Sequence, residues 1–496
     1  MSYTLLLLIS VWGCNEDILV EPRQYGSISG QVLNKKDGVA ISKAAVRLSP
    51  SGRTVQTDTT GRFRFDTVLM GKYTVQAAKE AFRDELTTVE VAGAYGSATV
   101  LYMVNDNPPP TEPQLLAPAT SVSAVATTAV LKWQSKDPAK DPLTYEVVIL
   151  REGSTTPTQS FSGLKADSLV LKGLEYGTTY YWQVTVSDGV GSVTGKMWSF
   201  RTVPFPDAAY IFARKVDGRY QIFAATGGSN AIQLTQQGSN WRPVGSPNRK
   251  QIAFISNAGT DLHLFVMNLD GSNRQRVTTV PVAGLLPSDL SFCWSPDGTQ
   301  LLYPANNKLY VVRADGSGNG GRVISQAPAG RFFAGCDWTP QGDRIVARTT
   351  GFSIYDNRFV VMSTRGTDTI TVLNKPGSRV GNPVFSATGN EVLYTSDKDN
   401  FQNEQGRQLN AQITMLTLVT RVPWIVVGAG TDARSTKPSG TNDLEPRFSP
   451  DGARIIFINT SNTGTGETTV VTVDFDGKTG QNRTALIQAA EMPYWR

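Results

Sequence analysis

Trp294-Ser295-Pro296-Asp297-Gly298, running into Leu301-Leu302-Tyr303, is one copy of a phrase that recurs through the second half of the chain. Phe448-Ser449-Pro450-Asp451-Gly452 repeats it ahead of Ile455-Ile456-Phe457. Weaker copies are Trp338-Thr339-Pro340-Gln341-Gly342, Phe385-Ser386-Ala387-Thr388-Gly389 and Gly245-Ser246-Pro247-Asn248-Arg249. Their Ser/Thr positions are 246, 295, 339, 386 and 449, so successive copies lie 49, 44, 47 and 63 residues apart. Short strands between turns at such a period predict propeller blades, four-stranded sheets that cannot bury their faces alone.

Each part of the phrase has a physical task. Pro presets φ for a type I turn and Gly leaves its exit unhindered. The aromatic residue before the turn is large enough to fill the space between blades. After the turn, Gln251-Ile252-Ala253-Phe254-Ile255 and Arg454-Ile455-Ile456-Phe457-Ile458 are strands rich in β-branched and aromatic residues. Third strands follow at His263-Leu264-Phe265-Val266-Met267, Leu309-Tyr310-Val311-Val312, Arg358-Phe359-Val360-Val361-Met362 and Val470-Val471-Thr472-Val473. The repeat resembles that of the TolB-like propellers, over residues 207–496, and the resemblance implies the fold without implying a function.

The end of the chain sets the expected blade count. Met492-Pro493-Tyr494-Trp495-Arg496 matches Glu445-Pro446-Arg447-Phe448-Ser449 and Asn382-Pro383-Val384-Phe385-Ser386, yet no blade follows it. Residues 208–214 read as a second strand with no inner strand before it. Joining the two gives one mixed blade, closed by the C-terminal strand, and six blades in all. Such closure leaves no free sheet edge. Trp198-Ser199 imitates the phrase but continues as Phe200-Arg201-Thr202, with no turn.

The expected fold is therefore all-β, with two small β-sandwiches ahead of the propeller. Gly30-Gln31-Val32, Ala44-Ala45-Val46-Arg47-Leu48, Thr57-Asp58-Thr59-Thr60-Gly61-Arg62-Phe63-Arg64-Phe65 and Gly71-Lys72-Tyr73-Thr74-Val75 resemble the carboxypeptidase regulatory-like domain over residues 26–104. That resemblance implies a seven-stranded spacer without a peptidase site. Alternation places Phe63 and Phe65 on the same core face. Residues 105–112, with Pro108-Pro109-Pro110, form a stiff linker. Val130-Leu131-Lys132-Trp133, Leu143-Thr144-Tyr145-Glu146-Val147 and the run from Leu174 to Trp182 resemble a fibronectin type III domain over residues 113–203. The resemblance implies that Trp133 is the core Trp and Tyr180 the corner Tyr. Asp137 and Asp141 are read as turn residues.

The N-terminus points to the cell envelope. Residues 5–9 are a short apolar run, and Ser10-Val11-Trp12-Gly13-Cys14 resembles a lipoprotein signal with its lipobox. Residues 1–13 would be the signal, Cys14 the lipidated first residue and 14–25 a tether. Asn15 lacks the Asp that retains lipoproteins in the inner membrane, and Glu16-Asp17 resembles the surface-export tags of Bacteroidota lipoproteins. The expectation is an outer-membrane lipoprotein, facing the periplasm or the cell surface, held through a lipid anchor at Cys14.

Composition removes several chemistries. Forty-seven basic residues against 42 acidic leave a net charge of only +5, too diffuse for nucleic acid. The chain has one histidine, His263, inside a blade strand, which removes His-based triads and multi-His metal centres. No Gly-x-Ser-x-Gly elbow is present. Asp397-Lys398-Asp399-Asn400 opens like a calcium loop, but Phe401 takes the third-ligand position. Neither cofactor nor metal nor catalytic residue is expected. Cys293 and Cys336 are expected on opposite faces of adjacent inner strands, as buried small hydrophobes rather than a disulfide.

Where the repeat lengthens, a binding face is expected. Loops joining strands two and three, and strand four to the next blade, leave from one end of a propeller; the Ser-Pro-Asp-Gly turns leave from the other. The fifth blade has insertions at 396–409 and 428–443 on the first end, which also carries Leu285-Leu286. The candidate binding residues there are Arg331, Phe332, Phe333, Phe352, Tyr355, Phe401, Arg407 and Arg434, because aromatic and Arg side chains on a rigid scaffold make binding hot spots. The function expected is a non-catalytic envelope platform for an envelope or surface protein, or a glycan. The alternative is a carbohydrate-active enzyme or accessory with acidic residues in the propeller's central funnel.

Overall fold

The computed structural model describes residues 24–93, 95–318, 320–397, 401–404, 406–427 and 437–496. Cys14, Arg434 and most of the Asp397-Lys398-Asp399-Asn400 stretch lie outside them. The chain divides into two compact units, Met1–Leu174 with Thr178–Val203, and Glu175–Gly177 with Pro204–Arg496. Among the described residues there is no α-helix, and no helix long and apolar enough to cross a membrane.

The first unit holds two sandwiches. In the first, Tyr25–Asn34 lies between Arg62–Leu69 and Ser97–Met103, facing a sheet of Thr54–Gln56, Ala45–Ser49, Gly71–Ala78 and Glu85–Val91. Phe63 and Phe65 are both buried in its core with Ile28, Val32 and Leu48. Gly30 is a close-approach position: a Cβ there would meet the Phe63 ring at 2.5 Å. In the second sandwich, Ser168–Leu171, Ala129–Gln134 and Gln114–Ala117 face a larger sheet built on Thr144–Arg151 and Thr179–Ser187. Trp133 and Trp182 are fully buried between them, and Tyr180 stacks on Phe200 at 5.7 Å. Asp137 accepts the Asp141 amide at 2.7 Å, the work of a turn residue.

The second unit is a six-bladed propeller, each blade an antiparallel four-stranded sheet. Blade 1 joins the two ends of the unit, in the order Ala231–Gln233, Arg219–Ala225, Tyr210–Val216 and Glu491–Trp495. Tyr210 pairs with Trp495 and Ile211 with Tyr494. Blades 2 to 6 begin at the inner strands Asn240–Gly245, Cys293–Trp294, Phe332–Trp338, Val384–Phe385 and Thr441–Phe448.

The recurring phrase closes the turn between first and second strands. Ser295 Oγ accepts the Gln300 amide at 2.9 Å, Asp297 accepts the Thr299 amide at 3.0 Å, and Gly298 takes φ +70°. Hydrogen bonds from Ser295 and the Thr299 amide hold the Asp297 carboxyl below the usual carboxylate range. Ser449, Asp451 and Gly452 repeat the arrangement. In the weakest copy Arg249 adopts φ +59° where the others have Gly. That copy also has Gly245 in the aromatic position, and the C-terminal strand supplies the reason. The Tyr494 ring already fills the space, and a Cβ on Gly245 would meet it at 3.0 Å.

Cys293 and Cys336 are buried, free thiols with their sulfurs 3.9 Å apart. Opposite faces of adjacent inner strands meet where neighbouring blades stack, so the two residues share one inter-blade core with Leu302 and Ile345. They are closer than the alternation argument implied, and they remain unpaired.

Removing residues 492–496 should collapse blade 1, since Trp495 leaves its core, Tyr494 leaves the space above Gly245 and the Tyr210–Val216 strand loses its partner. Losing one large buried aromatic costs about 3–5 kcal/mol. Thermal denaturation of the truncated chain should show a much lower or absent propeller transition; an unchanged melting temperature would mean that closure contributes nothing.

Candidate functional site

The inner strands carry a second repeated feature, a residue followed by Pro: Arg242-Pro243, Asn382-Pro383, Glu445-Pro446 and Met492-Pro493. Pro cannot donate to a sheet ladder and is confined to edges and bulges. Register shifts fall there, between Trp241 and Val244 and between Leu444 and Arg447. Arg242, Glu445 and Met492 take φ of +52°, +58° and +53°. A bulge re-aims the side chain beside it; these three line the central funnel. Gly335 occupies the equivalent position in blade 4, where a Cβ would strike Asn382 Oδ1 at 2.3 Å and Ser291 Oγ at 2.5 Å.

The funnel has a volume of about 370 Å³, within the range of small-molecule sites. It opens at the end carrying the second-to-third-strand loops, because Gln408, Gly464 and Gly466 from those loops and Ser288 and Asp289 from an inter-blade connection form its rim. The Ser-Pro-Asp-Gly turns contribute nothing to it.

Charge is dense at the mouth. Asp289 receives Arg348 Nη2 at 3.1 Å and Arg379 Nη2 at 2.5 Å, and its backbone carbonyl receives Asn382 Nδ2 at 2.8 Å. Burial alone would raise the Asp289 carboxyl, yet the two guanidiniums hold it below its ordinary value. Arg348 is about 1% exposed and donates also to Asn382 Oδ1, Asn357 Oδ1 and Val380 O at 3.0, 3.1 and 2.7 Å. Arg242 Nη2 meets Glu445 Oε1 at 2.8 Å and also donates to Ser288 O at 2.8 Å. Glu491 accepts the Tyr220 hydroxyl at 2.8 Å, and burial raises its pKa, with the nearby Glu445 charge adding to the shift.

On the inner strand of blade 4, Asp337 lies near Arg447, Tyr494 and Cys293. Protein surrounds it, with part of its surface open to water. Burial pushes the carboxyl up to about 6 against the pull of Arg447, and it accepts the Phe385 amide at 2.7 Å. Asp397, under the blade 5 insertion, is likewise pushed by burial to about 6 and accepts from Gln408 at 3.0 Å.

The candidate residues inferred from sequence divide sharply. Arg331 is buried, with bonds to Thr349 and Asp356, and braces its own loop. Phe333 belongs to the core between blades 3 and 4. Tyr355 is buried, and its hydroxyl both donates to the Asn403 carbonyl and accepts the Asn403 amide, each at 2.9 Å, pinning the insertion. These three present little or nothing to a partner, because local sequence cannot distinguish a loop side chain folded inward from one facing out. Phe352 is 80% exposed and meets the half-buried Phe332 edge-on at 5.8 Å. Phe401 is half-buried, and the exposed Arg407 donates to Thr463 O at 3.1 Å in the next blade. His263 is buried, bonded through Nδ1 to Thr278 Oγ1 at 3.0 Å, and burial lowers its pKa. Among the described residues no cluster of His, Cys, Asp or Glu could hold a metal.

The funnel residues Asp289, Arg348, Arg379, Glu445 and Arg447 escaped sequence reasoning. The recurrent residue-Pro pair was a signal for some of them; Arg348 and Arg379 carry none.

Residues 27–101 match the carboxypeptidase regulatory-like domain. The chain is also 36% identical over 66 residues to BOS complex subunit NOMO1 of Mus musculus, a match spanning 13% of this chain and only 5% of that protein. Among solved structures it is similar to TolB from Acinetobacter baumannii, at 15% identity over 72% of this chain and 83% of that one, with a TM-score of 0.42. It is also similar to a puromycin-hydrolyzing peptidase of Mycobacterium tuberculosis, at 14% identity over 61% of this chain and 45% of that one, with a TM-score of 0.36. At these scores and identities nothing about activity carries over.

The Asp337 carboxyl has a pH consequence. An unfolded Asp titrates near about 3.9, so between about pH 4 and 6 the folded protein holds a proton that the unfolded chain has lost. The contribution of this group to stability is therefore full below about 4 and is lost as pH rises through about 6. Asp337→Asn should abolish that loss and stabilise the protein by about 2–3 kcal/mol at pH 7. Urea unfolding at pH 4 and 7 checks it, and an equal pH dependence in both proteins would contradict the assignment.

Proposed function

We propose that this chain is a non-catalytic cell-envelope lipoprotein whose propeller is a binding platform, with its working end at the funnel mouth. The observation that carries this is the state of the funnel carboxylates. Asp289 is held by two arginines, Glu445 by Arg242, and Glu491 by the Tyr220 hydroxyl. General acid and base catalysis needs a group free to exchange its proton with substrate; these are engaged with the protein's own side chains. The single histidine is spent inside blade 2. The two sandwiches, a carboxypeptidase regulatory-like module and one we assign to the fibronectin type III class, serve as spacers between membrane and propeller. The partner is an envelope or surface protein or a glycan.

One observation favours a second reading, a carbohydrate-active enzyme: Glu445 lies close enough for its charge to help raise Glu491. A raised carboxyl beside an ionised one is the acid–base pairing that glycoside hydrolysis uses.

A photo-crosslinking residue placed at Phe352 or Gln408, and for comparison at Asp297 or Asp451, tests the platform in intact cells. Crosslinks to a discrete partner are expected from the first two positions alone. Adducts only from the turn end would invert the assignment, and glycan cleavage lost on Glu491→Gln would establish the enzyme instead.

The anchor is tested separately. A single acyl chain binds membranes only marginally, and stable anchoring needs more than one. Cys14→Ser should therefore move the protein to the soluble fraction of detergent-free lysates; unchanged sedimentation with membranes would remove Cys14 from the account.

A further inference from the structure

The charges of the funnel do not cancel, and one guanidinium among them is left without a bonded partner. Five cationic side chains line the cavity against three carboxylates. Asp289 takes up Arg348 and Arg379, Glu445 takes up Arg242, and Lys215 lies with Nζ 4.9 Å from the Tyr220 ring centroid. Arg447 lines the cavity from the innermost strand of blade 6, and among the described residues its guanidinium has no hydrogen-bond or ion-pair partner. Five N–H donors in a planar fork, turned into an enclosed space, fit a carboxylate or phosphate two bonds at a time.

The other groups around the cavity narrow the choice. Counting Asp337 near Arg447, five cations face four carboxylates, an excess of one positive charge at neutral pH that suits a monoanion better than a phosphate dianion. Lining atoms left buried and unpartnered include Glu445 Oε2, which requires a donor, Arg242 Nε, which requires an acceptor, and Thr395 Oγ1, which can serve as either. A buried polar atom without a partner is costly. A ligand that answers this set carries one carboxylate together with hydroxyl groups.

We propose that the funnel binds a small hydroxylated carboxylate of the sugar-acid class, its carboxylate on the Arg447 fork and its hydroxyls toward Glu445 and Thr395. The proposal rests on the funnel end being the working end, and names the chemistry recognised there: a glycan partner would present an acidic residue.

Calorimetric titration of the full chain at pH 7 with D-glucuronate, D-glucose and inorganic phosphate tests it. Glucuronate is expected to bind saturably, and glucose, which has a hydroxymethyl in place of the carboxylate, at least tenfold more weakly, since bonds to a charged group are the strong ones. Arg447→Gln should lose at least tenfold in glucuronate affinity, and Arg447→Lys, which keeps the charge but not the fork, should fall between. Should Arg447→Gln fail to fold, Arg447→Lys and the glucose comparison still decide. Equal binding of glucose, no heat with millimolar glucuronate, tighter binding of phosphate, or full affinity in the Arg447 variants would each overturn the proposal. If funnel-mouth crosslinks persist while glucuronate does not bind, the platform stands and only the ligand class is wrong; if both vanish, the working end is misplaced.

Discussion

The structure of the second unit depends on one antiparallel pairing, Glu491–Trp495 against Tyr210–Val216. A propeller blade buries its faces only against its neighbours, so an unclosed ring would leave two blades each with one wet face. Here the two ends of the unit meet within one sheet, and the last aromatics settle on both sides of the joint. Trp495 meets Tyr210 at 5.2 Å within blade 1, and Tyr494 fills the space above Gly245 in blade 2. Arg454, from blade 6, lies 4.3 Å from the centre of the Trp495 ring. Three blades are thereby fastened by five residues.

Closure creates an axis, and the axis must be filled without desolvating charge at a loss. Burying an ion is expensive unless partners replace its water. Arg348 meets that condition with a carboxylate and three neutral acceptors drawn from the blade 2–3 connection and blades 4 and 5. The same bonds that satisfy the guanidinium therefore also fix the relative positions of the blades around the axis. Such a network resists partial loss. Removing Asp289 would strand two arginines, whereas removing the solvent-facing Arg313–Asp315 pair, with both side chains more than half exposed, would cost little.

What was legible in the sequence is what local physics determines. The turn phrase announces itself because the Ser, Asp and Gly that close it stand within five residues of one another. Alternation placed Phe63 and Phe65 in one core because period two is a property of the strand alone. The blade count was legible because an inner strand without a blade after it can only belong to a blade without an inner strand. The site was not legible in that way. Its residues come from inner strands and loops scattered over more than 270 positions of chain, from Lys215 to Pro493, and no local pattern tells which arginines will point down a common axis. Nor does residue type tell direction: Arg331 and Phe352 stand on neighbouring loops at the same end, one buried, the other 80% exposed.

The residue-Pro pairs show where the two kinds of information meet. Pro in an inner strand is a local feature, visible at once, and it marks a bulge because the ladder there has lost a donor. What the bulge does is global: it turns Arg242, Glu445 and Met492 out of the blade faces, where a charged side chain would disrupt stacking, and into the funnel, where charges can find each other. Blade 4 solves the crowding in the opposite manner, with Gly335 leaving room for Asn382 and Ser291. The irregularity of the inner strands is thus what permits a charged axis inside an apolar stack of sheets, and Arg447, two residues beyond the blade 6 bulge, is the guanidinium on that axis to which no side chain or carbonyl among the described residues is bonded.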